Sequence, residues 1–139
     1  MIKDERFTKQ ETVSSMEQYM MFRKAVLFED KNRAEQILAA DDVACIKALG
    51  RLVSGYNDSY WSVMRQLIVY EGLLAKFSQN MELKKLLKDT GADLLAECAV
   101  KDRIWGIGLS IKDPDRFNIP KWKGQNLLGF TLMMVRDRI

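Results

Sequence analysis

An α+β fold, mainly helical and carrying a small β-sheet, is what this sequence predicts, in a single domain spanning residues 1–139. Three observations lead there. Apolar residues recur at helical spacing along most of the chain, most regularly at Tyr60, Met64, Leu67, Ile68, Leu74 and Ala75. Two short stretches, residues 7–13 and 93–100, have strand character instead. A chain of 139 residues, 47% hydrophobic and 29% charged, is long enough to bury one core without disulfides, and no linker, repeat or low-complexity tract divides it.

Taken in order, residues 7–13 are expected as a short strand. Ser14-Ser15-Met16-Glu17 follows, with the Ser-x-x-Glu spacing of a capping box opening a helix to about residue 28. Tyr19, Met20, Met21, Phe22, Ala25, Val26, Leu27 and Phe28 leave that helix little polar surface, so it is expected to run through the interior. Residues 32–40 and 41–53 read as two short helices, the second capped by Asp41 or Asp42 and followed by Gly55. A turn at Gly55-Tyr56-Asn57-Asp58 leads into the longest helix, residues 59–77, and residues 80–88 form another, closed by Thr90-Gly91. Residues 93–100 are expected as a strand and residues 112–123, with both prolines, as irregular chain. A last helix begins near Gln125, with Arg136 and Arg138 suited to its C-terminal dipole.

Composition narrows the function. The 22 basic and 19 acidic residues are scattered, giving a net charge of +3, which argues against a dedicated duplex-binding surface and still allows a local phosphate pocket. The chain has no histidine, which removes Ser-His-Asp triads, Cys-His dyads and histidine-based metal motifs, so any catalysis rests on carboxylates, Lys, Arg, Tyr or Cys. Cys45 and Cys98 are expected as small core residues in a reducing compartment, and no segment has the character of a signal peptide or a membrane span. A cytoplasmic protein without metal or cofactor is therefore expected.

Two regions carry residues suited to chemistry. On the first helix, Glu17, Met21, Lys24 and Phe28 follow i, i+4, i+7, i+11 spacing, which puts an acid and an amine on one face of an otherwise apolar helix. A semi-buried cleft there would shift their pKa values; the bland alternative is a Glu17 that serves the capping box and a Lys24 whose stem lies along the surface. The second region is Asp102-Arg103-Ile104-Trp105-Gly106-Ile107-Gly108-Leu109: a carboxylate, an indole suited to stacking, and glycines that let backbone come close. Read blandly, Asp102 forms a turn and Trp105 is a core ring. Asn126, at the head of the last helix, marks a place where free N–H groups favour a phosphate, or is simply an N-cap. Arg51 and Lys76 could supply phosphate charge, whereas Trp61, Arg65 and Trp122 read as structural.

The order of Glu17-Gln18-Tyr19-Met20 with Lys24, Gly50-Arg51, Lys76-Phe77-Ser78-Gln79-Asn80, Thr90-Gly91, Glu97, Asp102 with Trp105-Gly106-Ile107-Gly108, Gly124-Gln125-Asn126-Leu127-Leu128-Gly129 and Met134-Val135-Arg136 resembles the NADAR family, also called YbiA-like, from about Ser15 onward. The resemblance implies a hydrolase that cleaves the N-glycosidic bond between a ribose and a base or amine. Its substrates would be ribosylaminopyrimidine phosphates of early riboflavin biosynthesis, or ADP-ribose linked to guanine, with ADP-ribosylated nucleic acid as one form of the latter. Carried over by position, the catalytic residues are Glu17, Lys24 and Asp102, and Trp105, Gly106, Gly108, Asn126 and Arg51 border the ligand. The runner-up, from another class, is a non-catalytic module that binds ADP-ribose or a related nucleotide; a third reading is a helical interaction protein in which these positions are structural. The aromatic-rich strand that precedes the first helix in the family is not evident here, and Ile107 stands where many relatives carry a polar residue.

Overall fold

The structure, a computed structural model, describes residues 12–139. The strand expected at residues 7–13 lies outside the described residues as far as residue 11, and Thr12 and Val13 form no strand. Contacts divide the chain into two compact units, Met1–Trp61 and Ser62–Ile139. None of the described helices is long and apolar enough to cross a membrane.

In the first unit, α1 (Met16–Leu27), α2 (Lys31–Ala39) and α3 (Val43–Arg51) pack together around Met21, Ala25, Ala34, Ile37, Ile46 and Val53. The start of α1 is displaced by one residue from the expected box. Ser15 is the N-cap and accepts from the Gln18 N–H, while Gln18 Oε1 accepts from Ser14 N–H and Oγ–H. Gln18, 4% exposed, also donates through Nε2 to the carbonyls of Ile37, Leu38 and Ala40, and so satisfies the otherwise open C-terminal end of α2. Asp30 caps α2 at the Arg33 N–H, and its other oxygen accepts from Ser54 N–H beyond α3. Cys45, expected in the core, is exposed on α3.

Helix α4 (Asp58–Gln79) begins in the first unit and supplies Ile68, Val69 and Leu73 to the core of the second. Next come α5 (Met81–Asp89), capped by Asn80, two short 3-10 turns (Pro114–Phe117 and Ile119–Lys121), and α6 (Leu127–Arg138). Leu87, Ile107, Leu109 and Val135 complete the apolar interior here, with Thr131 as a buried polar neighbour.

The small sheet is the main correction to the expected fold: the described residues are helical and contain no strand. Residues 93–100 show why. A strand is defined by a ladder to another strand, and here the polar backbone is met by side chains instead. Asn126 Nδ2 donates to the Leu95 carbonyl, Glu97 N–H donates to Asn126 Oδ1, and Arg136 donates to the Asp93 carbonyl. The strand-like composition is present without a partner strand.

Candidate functional site

The amine of Lys24 is the best-defined polar group in the first unit. Its Nζ donates to the Gly50 carbonyl at 2.9 Å, lies 4.5 Å from the Tyr56 ring centroid and 5.9 Å from that of Trp61. Phe28 backs the Tyr56 ring edge-to-face at 5.4 Å. Burial pushes the Lys24 pKa below its ordinary 10.5. The carbonyl accepts a hydrogen from either protonation state, so the amine stays oriented whether or not it carries the extra proton. Gly50 makes the arrangement possible, because a side chain there would run into Met21 on α1.

Glu17 shares the α1 face with Lys24. Two helical turns separate them, about 10 Å along the axis, so they form no direct ion pair. With Gln18 filling the capping role, the half-buried Glu17 carboxylate has no hydrogen bond or ion pair among the described residues. The bland reading of Glu17, a capping-box acid, is thereby removed. Arg51, at the last position of α3, is exposed and likewise without a partner among the described residues.

In the second unit the expected site residues are bound up with backbone. Asp102 Oδ1 accepts from the Ile104 N–H at 3.0 Å and the Trp105 N–H at 2.8 Å, a side-chain turn that leaves the second carboxylate oxygen open. Gly106 sits where a Cβ would meet the carbonyls of Asp102 and Glu97, each at 2.9 Å, so only glycine allows these two stretches to close on it. Gly108 has φ of 71°, the left-handed region suited to glycine. Trp105 is half-buried, and its indole N–H has no partner among the described residues. Ile107, between the glycines, is fully buried; its N–H reaches the Glu97 carbonyl and its carbonyl accepts from Lys123. Ile107 therefore belongs to the apolar interior.

The head of α6 differs from the phosphate site that sequence reading places there. The N–H groups of Asn126, Leu127 and Leu128 donate to the carbonyls of Gly106, Ile104 and Trp105 at 3.0, 3.1 and 3.1 Å. These amides are not free, since the glycine loop folds onto them. Asn126 itself is wholly buried with φ of 52°, makes no side-chain cap, and uses both ends of its amide on Leu95 and Glu97.

The structure thus gathers Lys24, Gly50, Tyr56 and Trp61 in the first unit, and Asp102, Trp105, Gly106, Gly108 and Asn126 around one loop in the second. Sequence reasoning missed Tyr56 and set Trp61 aside as structural. Two aromatic residues just beyond a helix that ends in Gly-Arg were the available signal, and nothing local ties them to a lysine some thirty residues earlier.

Over residues 2–139 the chain matches the family model described as the NADAR domain, and it belongs to that family. Among similar proteins, N-glycosidase R617 of Acanthamoeba polyphaga mimivirus is 44% identical over 88% of this chain and 72% of its own length. Protein irg-1 of Caenorhabditis elegans is 38% identical over 88% of this chain, which spans 59% of that relative. The NMR structure of the E. coli protein YbiA superposes with a TM-score of 0.74 at 27% identity, covering 94% of this chain and 70% of that one.

Proposed function

We propose that this chain is an N-glycosidase, a hydrolase of the bond between a ribosyl carbon and a nitrogen, and that Lys24 is its nucleophile. The observation that carries the proposal is the environment of Lys24: an amine fixed by one carbonyl, flanked by two rings and pushed by burial toward the neutral, nucleophilic form. R617 and other relatives bear the name N-glycosidase, which supports the same reading.

Cleavage of a ribosyl C–N bond builds positive charge on the anomeric carbon and negative charge on the departing nitrogen. In the proposed sequence the Lys24 amine attacks that carbon. The C–N bond breaks with its electron pair on the leaving group, which takes a proton from a carboxylic acid. Opening of the sugar ring, with the ring oxygen taking a proton that Nζ gives up, leaves a protonated imine on Nζ; water then adds to its carbon, the ring oxygen's hydroxyl recloses the sugar, and the amine departs, releasing the sugar as ribose phosphate or ADP-ribose. Glu17 and the second oxygen of Asp102, neither with a partner among the described residues, are the carboxylic groups assigned to the proton and to the cationic centre. Of the residues carried over as ligand-binding, Trp105 and Arg51 are the ones proposed to meet the ligand, Arg51 contributing phosphate charge; Gly106, Gly108 and Asn126 are buried, with the Asn126 amide spent on Leu95 and Glu97, and are proposed only to shape the loop.

Two substrates should be offered: a ribosylaminopyrimidine phosphate and ADP-ribosylated guanosine, free or within nucleic acid. Release of ribose phosphate or ADP-ribose, with borohydride trapping of an adduct on Lys24, is the expected result. Undiminished cleavage by folded Lys24→Ala and Glu17→Gln variants would overturn the assignment of roles. Tight ADP-ribose binding without cleavage of either compound would replace the enzyme by a binding module.

A further inference from the structure

A lysine ammonium is tetrahedral and has three N–H donors, whereas a protonated imine on the same nitrogen is flat and has one. What surrounds Lys24 Nζ suits the imine. The nitrogen has a single hydrogen-bond acceptor among the described residues, the Gly50 carbonyl at 2.9 Å, and otherwise lies over two aromatic rings. That carbonyl belongs to the last turn of α3, at the negative end of the helix dipole. The Ser54 N–H, four residues on, would have met it in a longer helix and donates to Asp30 instead, so the carbonyl is left for Nζ.

Of the two rings, Tyr56 is the closer. Its centroid is 4.5 Å from Nζ, well inside the roughly 6 Å over which a cation is drawn to a π face, while Trp61 at 5.9 Å stands at the limit. Trp61 is buried and Tyr56 is 43% exposed, so a sugar carbon bonded to Nζ can lie beside the Tyr56 ring without displacing the core. Phe28 and Asp58 hold that ring. Phe28 packs edge-to-face against it at 5.4 Å, and the Tyr56 hydroxyl donates to Asp58 Oδ1 at 2.7 Å. Asp58 is the first residue of α4, a position where the helix dipole favours an acid. A phenol that donates to a carboxylate is polarised, its ring face becomes more negative, and its attraction for a cation deepens.

We infer that Tyr56 is a further catalytic residue of the N-glycosidase reaction, its ring face stabilising the protonated imine on Lys24 in preference to the resting ammonium, and that Asp58 is a positioning residue acting through the Tyr56 hydroxyl. The inference rests on the reading of Lys24 as the nucleophile. A compact ammonium is strongly hydrated and loses water when it meets a ring; a flat, delocalised cation is weakly hydrated and stacks on one. In the imine the lone N–H stays on the Gly50 carbonyl and the C=N plane lies along the Tyr56 ring.

The test needs no leaving group. Ribose 5-phosphate and ADP-ribose each open to a free aldehyde. The Lys24 amine adds to the aldehyde carbon, the oxygen leaves as water, and cyanoborohydride delivers hydride to the imine carbon, giving a secondary amine that mass spectrometry locates on the chain. Ammonium and protonated imine carry the same charge, so the initial rate of trapping reports what the ring does for the imine beyond what it does for the amine. Tyr56→Leu should trap about tenfold more slowly than the unaltered chain, and Tyr56→Phe should restore most of that loss. Replacing Tyr56 by mono- and trifluorinated Phe keeps the ring's shape and drains its negative face, so trapping should fall stepwise along that series. Asp58→Asn should slow trapping in the unaltered chain and leave it unchanged on the Tyr56→Phe background. Equal trapping across the fluorinated series overturns the inference and leaves Lys24 its role; a folded, unaltered chain that yields no adduct on Lys24 overturns both.

Discussion

The surroundings of Lys24 and those of Asp102 use similar residue types to opposite ends. Around Lys24 the protein makes few polar contacts: one carbonyl, two ring faces, and on the same helix face a Glu17 with no partner among the described residues. Around Asp102 the backbone is largely engaged, while the second carboxylate oxygen and the Trp105 indole N–H have no partner among the described residues. One carboxylate oxygen holds two amides, Asn126 bridges two backbone groups, and the first amides of α6 are closed by loop carbonyls. The first arrangement leaves an amine with a single hydrogen-bond partner, and the second ties a loop to the head of α6.

Removing the amine breaks the comparison most severely if it is right. Lys24→Ala should lower the cleavage rate by about 10³-fold or more, while chemical denaturation shows stability unchanged to within about 1 kcal/mol. Asn126→Ala should do the reverse. Two buried backbone groups, the Leu95 carbonyl and the Glu97 N–H, lose their partner, and unfolding in urea should show a loss of about 3 kcal/mol. At Asp102 the two roles separate. Asp102→Asn keeps an acceptor for the Ile104 and Trp105 amides and should keep the melting temperature, so a fall in rate in that variant isolates the charge; Asp102→Ala should cost about 1 kcal/mol as well.

The smallest effect is the pH dependence of stability. Burial sets the folded pKa of Lys24 below 10.5, so between the two values the unfolded chain holds a proton that the folded chain lacks. Stability contributed by this group rises with pH through that window and is reduced below it. A Lys24→Met variant should lose the rise, which melting curves recorded from neutral to alkaline pH would show.

The helices were legible because their signals are local. The expected range 59–77 lies within α4, and Asn80 and Asp42 cap the helices that follow them. Ser14 and Ser15 both satisfy a capping-box pattern, one with Glu17 and the other with Gln18; the choice fell to Gln18 because that side chain also reaches the end of α2, a contact nineteen and more residues away in sequence. Residues 93–100 misled for the same reason. Their composition is that of a strand, but pairing is decided by what lies alongside, and there Asn126 and Arg136 take the place of a neighbouring strand. Lys24 and Glu17 could be picked out by periodicity, whereas the Tyr56 and Trp61 rings depend on how α1, α3 and the start of α4 come together.

Gly50 links the interior of the first unit to the amine. The residue that lets α3 approach Met21 is also the one whose carbonyl receives Lys24, so core volume and amine position share a single adjustment. A bulkier or smaller side chain in place of Met21 would therefore shift α3 and, through the Gly50 carbonyl, the position of the Lys24 amine, so that a change made in the interior is felt at a group some distance along the helix face.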